Sequence, residues 1–520
     1  MEYNWESIGN CSRFVKTQGL EARAYQINII NSIIENGNTL VVLPTGLGKT
    51  LIAVFSIACA LENGKKAIIM APTKPLSEQH YKSLTSLLNI DQKDILLLTG
   101  KLNSKKRSLL ESDAKVITAT PQTIANDLRS GNFKLEDFGV VVFDECHRAV
   151  GKYAYTYIAD ECRLKGIKII GLTASPGSNT EKVLQLVQTL NIESIEVKTQ
   201  EDEDIKPYIK DRNTNPIYVN KSDTINRISL LIKPIMDEHL YALYHSGLCP
   251  IKNSEDLSKM KLLEVGQKIN DIKTNSYKFN AIFHYIYVLD LMHAYDLVTT
   301  EGLQPFLSYL DSLKDKEKKN RSLESILKNE FILKAEKIAK DAVRDGEEHP
   351  KAIKIIELIK KKKIKNRIII FAQYRSTINM LVNLLNLNGL SARAFVGRKE
   401  GVTQDQQMQV INDFRLGKFD ILVATSIGEE GLDIPNVDTV IFYEPITSAI
   451  RNIQRKGRTG RFNVGNVYIL ITKGTKDETY MLVSDIKEKR MYNVIKRVKS
   501  MLHKNIKTKI IKKGGQQKLI

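Results

Sequence analysis

Between residues 39 and 205 short apolar runs recur at intervals filled by helix-like segments: Leu40-Val41-Val42-Leu43, Ala67-Ile68-Ile69-Met70, Ile95-Leu96-Leu97-Leu98, Val116-Ile117, Val140-Val141-Val142-Phe143, and Ile167 with Ile169-Ile170. Runs of about four β-branched or aliphatic residues without polar alternation predict strands covered on both faces, as in a parallel sheet. The same pattern returns after Lys351 in Ile368-Ile369-Ile370-Phe371, Ala392-Arg393-Ala394-Phe395, Ile421-Leu422-Val423-Ala424, Thr439-Val440-Ile441-Phe442 and Val467-Tyr468-Ile469-Leu470-Ile471. Two similar α/β units are therefore expected. Between them, over about 206–350, Leu, Ile, Lys and Glu take over at helical spacing, as in Ile282, Tyr285, Ile286, Leu289 and Met292, which predicts an inserted helical domain. The expected division is 1–205, 206–350, 351–486 and a basic C-terminal tail 487–520. In the tail, Met491, Val494, Ile495, Val498, Met501 and Leu502 predict an amphipathic helix whose apolar stripe docks on the second α/β unit, leaving Lys496, Arg497, Lys499 and Lys504 available.

A chain of 520 residues is too long for one core, which agrees with this division. The net charge of +19 is concentrated after residue 350, and the tail alone carries 12 Lys and Arg against one Glu. A basic surface of that kind suits a polyphosphate partner, nucleic acid or an anionic membrane. No apolar stretch approaches the length of a membrane span and no signal-peptide pattern opens the chain, so a cytoplasmic location is expected. The five cysteines are scattered without C-x-x-C spacing, which argues against a disulfide framework and a zinc site.

Three motifs carry chemistry. Pro44-Thr45-Gly46-Leu47-Gly48-Lys49-Thr50 lies between a predicted strand and the apolar helix that starts at Leu51. Glycines there let backbone N–H groups wrap phosphates, Lys49 neutralises their oxygens, and the Thr50 hydroxyl can ligate Mg²⁺. Leu43 stands where the strict pattern has its first Gly, so the loop is a relaxed form. Asp144 and Glu145 close a predicted strand. Asp144 would hold Mg²⁺ through water, and Glu145 would orient and deprotonate an attacking water. His147 follows at a distance suited to an inter-domain hydrogen bond. Far downstream, Gln454-Arg455-Lys456-Gly457-Arg458-Thr459-Gly460-Arg461 offers Arg458 and Arg461 on one helix face, one turn from Gln454, as donors to a phosphoryl transition state. ATP and Mg²⁺ are the cofactors these motifs call for.

The order PTGLGKT, DECH, Thr173-Ala174-Ser175 and QRKGRTGR resembles a superfamily 2 helicase. The longer strings DECHRAVGKYAY (144–155), GLTASPGS (171–178), HAYDLVTTEGLQPFLSYL (293–310), FVGRK (395–399) and ATSIGEEGLDIPNVDTVIFYEP (424–445) closely resemble the archaeal Hef helicases and their Fanconi-anaemia M type relatives, over roughly residues 20–480. The resemblance implies an α/β fold of two RecA-like parallel-sheet domains with an all-helical, thumb-like domain between them, and an ATP-dependent helicase or translocase acting on forked or branched DNA, duplex and single strand, in fork repair. It assigns Gln26 with Arg23 to adenine, Thr173 and Ser175 with His147 to coupling, and Thr73, Lys74, Thr120, Gln122, Gln373, Arg375 and Thr425 to the nucleic-acid backbone. Gly428, Glu430 and Asp433 fall in the segment that senses nucleotide from the second domain, while Thr45, Gly46 and Gly48 belong to the phosphate loop. Full-length Hef proteins continue into an XPF-like nuclease that this chain does not show, so a nuclease is expected only as a separate partner. The DECH spelling, where many Hef-like proteins have DEAH, is shared with duplex-RNA ATPases of the Dicer and RIG-I-like group, which keeps a duplex-RNA-stimulated ATPase as the alternative. A non-catalytic DNA-binding scaffold has no need of Lys49, Asp144, Glu145 and Arg458. The ending Gln516-Gln517-Lys518-Leu519-Ile520 resembles the start of a sliding-clamp-binding box without its aromatic pair.

Overall fold

In the computed structural model, residues 4–99, 113–199, 201–208, 213–316, 320–361, 367–397, 402–425, 437–445 and 466–515 are described. The first lobe is a seven-stranded parallel sheet built from β1 (Thr39–Val42), β2 (Lys66–Met70), β3 (Ile95–Leu98), β4 (Val116–Ala119), β5 (Phe138–Asp144), β6 (Lys168–Thr173) and β7 (Ser194–Val197), in the order β3-β4-β2-β5-β6-β1-β7. The six expected runs are β1 to β6, covered by two apolar layers that hold Phe143 and Tyr155 on one side and Trp5, Tyr25 and Phe55 on the other, and β7 adds an edge strand that the sequence reading lacks. The second lobe is a six-stranded parallel sheet ordered β10-β11-β9-β12-β13-β8. Its members are β8 (Asn213–Val219), β9 (Ile368–Phe371), β10 (Ala392–Phe395), β11 (Ile421–Ala424), β12 (Thr439–Phe442) and β13 (Asn466–Thr472).

Strand β8 corrects the expected helical span of 206–350. Its sequence, Asn-Thr-Asn-Pro-Ile-Tyr-Val, has no apolar run and contains Pro216, yet it pairs with β13 over seven residues. Proline is tolerated because β8 is an edge strand. The helical domain proper begins at Asp223 and consists of the helices Asp223–His245, Lys259–Asn270, Ser276–Asp296, Leu303–Lys314, Arg321–Lys328 and Glu330–Arg344 around a core of their own. The expected stripe Ile282, Tyr285, Leu289 and Met292 is only partly covered; Ala281, Tyr287, Val288, Leu291 and Ala294 of the same helix are fully buried, because that helix is packed on more than one side.

A single π-helical turn, Leu297–Glu301, fastens this domain to the second lobe. Its exposed carbonyls and its glutamate are taken up by groups of the second lobe. Lys351 Nζ donates to Thr300 O at 3.0 Å, the Tyr443 hydroxyl donates to Glu301 O at 2.9 Å, and the Thr377 hydroxyl donates to Glu301 Oε2 at 3.0 Å. Lys351 also pairs with Asp477 at 2.6 Å, with no exposed surface on either side chain, and its ammonium lies 5.1 Å from the Tyr443 ring centre. Burial, with the nearby Lys351 charge, pushes His349 down to about 3. The neutral ring therefore accepts from Lys351 N at 3.1 Å through Nδ1 and donates to Thr299 O at 3.2 Å through Nε2. Gly302, at φ 122°, closes the turn where a side chain would meet His349 Cβ at 3.2 Å.

The helix Lys476–Gly515 overturns the expected docking of the tail. Met491, Val494, Ile495 and Val498 form the predicted stripe, but they join the core of the first lobe rather than the second, packing beside the helix Thr180–Thr189 and strand β7. Burial of side chains of this size contributes about 1.5–3 kcal/mol each. Lys499 is not free either, since it lies 3.5 Å from Glu196 on β7.

Removing one partner of a buried ion pair strands the other charge, at a cost of about 3–5 kcal/mol. Lys351→Met should therefore lower the unfolding free energy in urea by that amount, and Lys351→Met with Asp477→Leu should recover most of it. A loss below about 1 kcal/mol for the single variant would show that the pair does not fasten the two parts.

Candidate nucleotide and nucleic-acid site

The loop after β1 leads into the helix Lys49–Glu62, with Gly46 and Gly48 at φ 86° and 80°. Only glycine holds this left-handed geometry without strain, and at Gly48 a Cβ would also meet Gln26 Nε2 at 2.2 Å. Gln26 is thus packed directly on the loop, donating to Leu47 O at 3.2 Å, and the Tyr25 hydroxyl donates to the same carbonyl at 2.9 Å. Lys49 Nζ donates to Leu43 O at 3.0 Å, so the residue that replaces the first glycine of the strict pattern supplies its carbonyl to the lysine. Arg23 is engaged with Glu21 at 3.1 Å and lies over the Tyr208 ring at 4.8 Å.

Asp144 ends β5, two strands from β1 with β6 between them. Burial acts to raise its pKa, but the hydrogen bond to His80, the charges of His80 and Lys49 and the Glu145 N–H outweigh it and hold the carboxyl below its ordinary value. His80 Nε2 lies 2.8 Å from Asp144 Oδ2, and Glu145 N donates to Oδ1 at 3.0 Å. The sequence reading missed His80: it sits 64 residues before Asp144 on the helix Lys74–Leu87, and its one available signal was a histidine on the buried side of a helix that follows a strand end. Glu145 adopts φ 49°, a strained setting for a residue with a side chain, and such strain is tolerated where the surroundings fix it.

Among the described residues the partners of His147 lie in the first lobe. Its Nδ1 is 3.1 Å from the Thr173 hydroxyl at the end of β6 and 3.3 Å from Glu145 Oε2. The hydroxyl is the partner with hydrogen-bond geometry, which leaves Glu145 Oε2 buried with no hydrogen bond among the described residues, as is Gln26 Oε1. Thr173 Oγ1 also accepts from Ser175 N at 3.1 Å. Lys49, Asp144, Glu145, His147, Thr173 and Ser175 are therefore gathered at the carboxyl ends of three adjacent strands, β1, β6 and β5. The donor set fits a nucleotide and a divalent ion: a loop with two glycines at positive φ, a lysine, a low-pKa carboxylate and a buried carboxylate oxygen without a hydrogen bond among the described residues.

A second group of expected residues lies at helix starts. Thr73 and Thr120 precede the helices Lys74–Leu87 and Pro121–Arg129 directly after β2 and β4, and Gln373 and Tyr374 precede Arg375–Leu387 after β9. The unpaired N–H groups of a helix start favour phosphate oxygens. Lys74 is paired with Glu78 at 3.4 Å, and Arg375 donates to Gly397 O at 2.6 Å, so both are partly committed. Thr425 follows β11. Gly428, Glu430, Asp433, Gln454, Arg458 and Arg461 lie outside the described residues. Among the described residues no helix is long and apolar enough to cross a membrane.

Two parallel-sheet lobes, a phosphate loop with its acidic partner on the first, and helix starts aligned at strand ends define the helicase class of nucleotide-dependent motors. Family profiles agree along the chain: DEAD/DEAH box helicase at 23–183, a helicase helical bundle named for RNA helicases at 225–348, and helicase conserved C-terminal domain at 350–463. The chain belongs to the family of the Hef helicases. It is 39% identical to the crystallised Pyrococcus furiosus Hef helicase domain, with a TM-score of 0.71 over 91% of this chain and all of that one. It is also 39% identical over 95% of its length to the Methanocaldococcus jannaschii protein named "Putative ATP-dependent RNA helicase MJ1505", and 33% identical over 89% to the Neurospora crassa ATP-dependent DNA helicase mph1. It spans 63% and 42% of those two proteins.

Partners that orient a ligating carboxylate are worth about 10- to 100-fold in metal affinity or activity. His80→Ala should lower ATP turnover within that range, and His80→Gln, which restores a donor, should recover part of it. Wild-type turnover in His80→Ala would show that the Asp144 contact has no bearing on the site.

Proposed function

We propose that this chain is an ATP- and Mg²⁺-dependent motor that translocates along or unwinds forked or branched DNA inside the cell, in fork repair. The convergence of Lys49, Asp144 and Glu145 at the carboxyl ends of β1 and β5 carries the ATPase reading. The likeness to the N. crassa ATP-dependent DNA helicase mph1 carries the DNA reading. Lys49 and the loop N–H groups bind the β- and γ-phosphates, and Gln26 Oε1, buried beside the loop, accepts a hydrogen bond from an N–H of the adenine. Thr50 and Asp144 would hold Mg²⁺, which supplies charge neutralisation to the phosphates when bound. Glu145 takes the proton of the attacking water, Arg458 and Arg461 with Gln454 act on the transferring phosphoryl group from the second lobe, and His147, Thr173 and Ser175 relay the change. Thr73, Lys74, Thr120, Gln122, Gln373, Arg375 and Thr425 follow the backbone of the strand. A nuclease and a sliding clamp are the partners that this reading adds.

A duplex-RNA-stimulated ATPase is the second reading, favoured by the name of the M. jannaschii relative and by the helical-bundle profile. Stimulation of ATP hydrolysis by forked DNA, linear duplex DNA and duplex RNA separates the two, and greater stimulation by duplex RNA than by a DNA fork would overturn the DNA reading. Glu145→Gln should reduce turnover by about 10²–10⁴-fold while leaving nucleotide binding intact, whereas Lys49→Ala should weaken binding itself. If Glu145→Gln kept more than about a tenth of wild-type hydrolysis, Glu145 would not be the base.

A further inference from the structure

We infer that the C-terminal helix ties the second lobe to the nucleotide site of the first, and that Met491 is a positioning residue acting through Ser175. The helix Lys476–Gly515 has both of its lobes in hand. At its start Asp477 is paired with Lys351 and accepts from Thr472 N at 3.0 Å, while Lys476 is bound to Asp296 of the helical domain at 3.0 Å. One end is therefore rooted in the unit formed by the helical domain and the second lobe.

About 14 residues later, roughly 21 Å along a continuous helix, the same element enters the core of the first lobe. There the Ser175 hydroxyl is in direct contact with Met491 Sδ, a weak acceptor, and neither side chain has appreciable exposure. Ser175 N is in turn bound to Thr173 Oγ1, which is bound to His147, whose ring faces Glu145. A chain of direct contacts thus runs from Asp477 through a rigid helix to the carboxylate at the nucleotide site. Displacement of the second lobe along the helix axis must either carry Met491 off Ser175 or pull Thr173 and His147 with it, because a packed core does not stretch. The opposite face of the helix, with Lys489, Arg490, Asn493, Lys496 and Arg497, is exposed and makes no demand on this docking.

The inference rests on the motor reading above. Base pairs separated per ATP hydrolysed, together with the KM for ATP, should be measured for the full chain as wild type, Met491→Leu, Ser175→Ala and the double variant. The nucleic acid used should be the one that stimulates turnover most. Leucine keeps the volume, so the protein stays folded and the helix docked, which unchanged hydrogen-exchange protection of 491–498 checks independently. Loss of one hydrogen bond corresponds to about 2- to 10-fold, and Met491→Leu should lower coupling by that factor with KM changed less than about 2-fold. In the Ser175→Ala background the same substitution should have no further effect. Wild-type coupling in Met491→Leu, or losses that multiply in the double variant, would overturn the proposal. A wild type without nucleic-acid-stimulated hydrolysis would instead overturn the motor reading, and this inference with it.

Discussion

A lysine and an aspartate with no exposed surface, Lys351 and Asp477, set how the molecule can move. Two bare charges in an apolar interior cost far more than their attraction returns unless their remaining donors and acceptors are met. Here the carbonyl of Thr300, the Tyr443 ring and the Thr472 N–H meet most of them. All of these groups come from different segments, so the pair is tolerable only when the π-turn, strand β12, strand β13 and two helix starts are assembled together. The helical domain and the second lobe are consequently fastened to each other through buried groups. The placement of the two against the first lobe is a separate matter.

Among the described residues, the C-terminal helix is one connection by which that placement meets the nucleotide site. The first lobe holds the glycine loop and both carboxylates on strand ends, where strain at Glu145 and the close approach of Gln26 leave little slack. Asp144 stays ionised although buried, because His80, Lys49 and a backbone N–H compensate for lost water. Glu145 differs in having a carboxylate oxygen that no described group satisfies. Two adjacent carboxylates therefore sit in unlike surroundings, one ringed by donors and one with an oxygen left open.

Much of this was readable from residues. Eleven of the strands coincide with apolar runs because a strand covered on both faces needs apolar side chains at every position, and Val140 to Phe143 leaves no alternative. Strands β7 and β8 escaped because they lie at sheet edges, where one side of the ladder is open and Ser194-Ile195-Glu196-Val197 or a proline-containing segment suffices. The amphipathic stripe from Met491 to Val498 was legible as a stripe, but periodicity says which face is covered and not what covers it, so its partner was assigned to the wrong lobe. His80 escaped for a related reason. A contact over 64 residues between a helix and a strand end follows from how α/β units stack, not from local spacing.

Strand β8 has a consequence for the order in which the protein is made. It is synthesised before the helical domain, yet its partner β13 emerges about 250 residues later, so the second sheet has an unfilled edge position until β13 is made. The strands of the first lobe and the helices of the helical domain all precede β13 in the chain. Contacts so distant in sequence form slowly because loop closure comes before its reward. An excised second lobe that began after β8 would leave the β13 edge open, and open edges invite pairing with other chains.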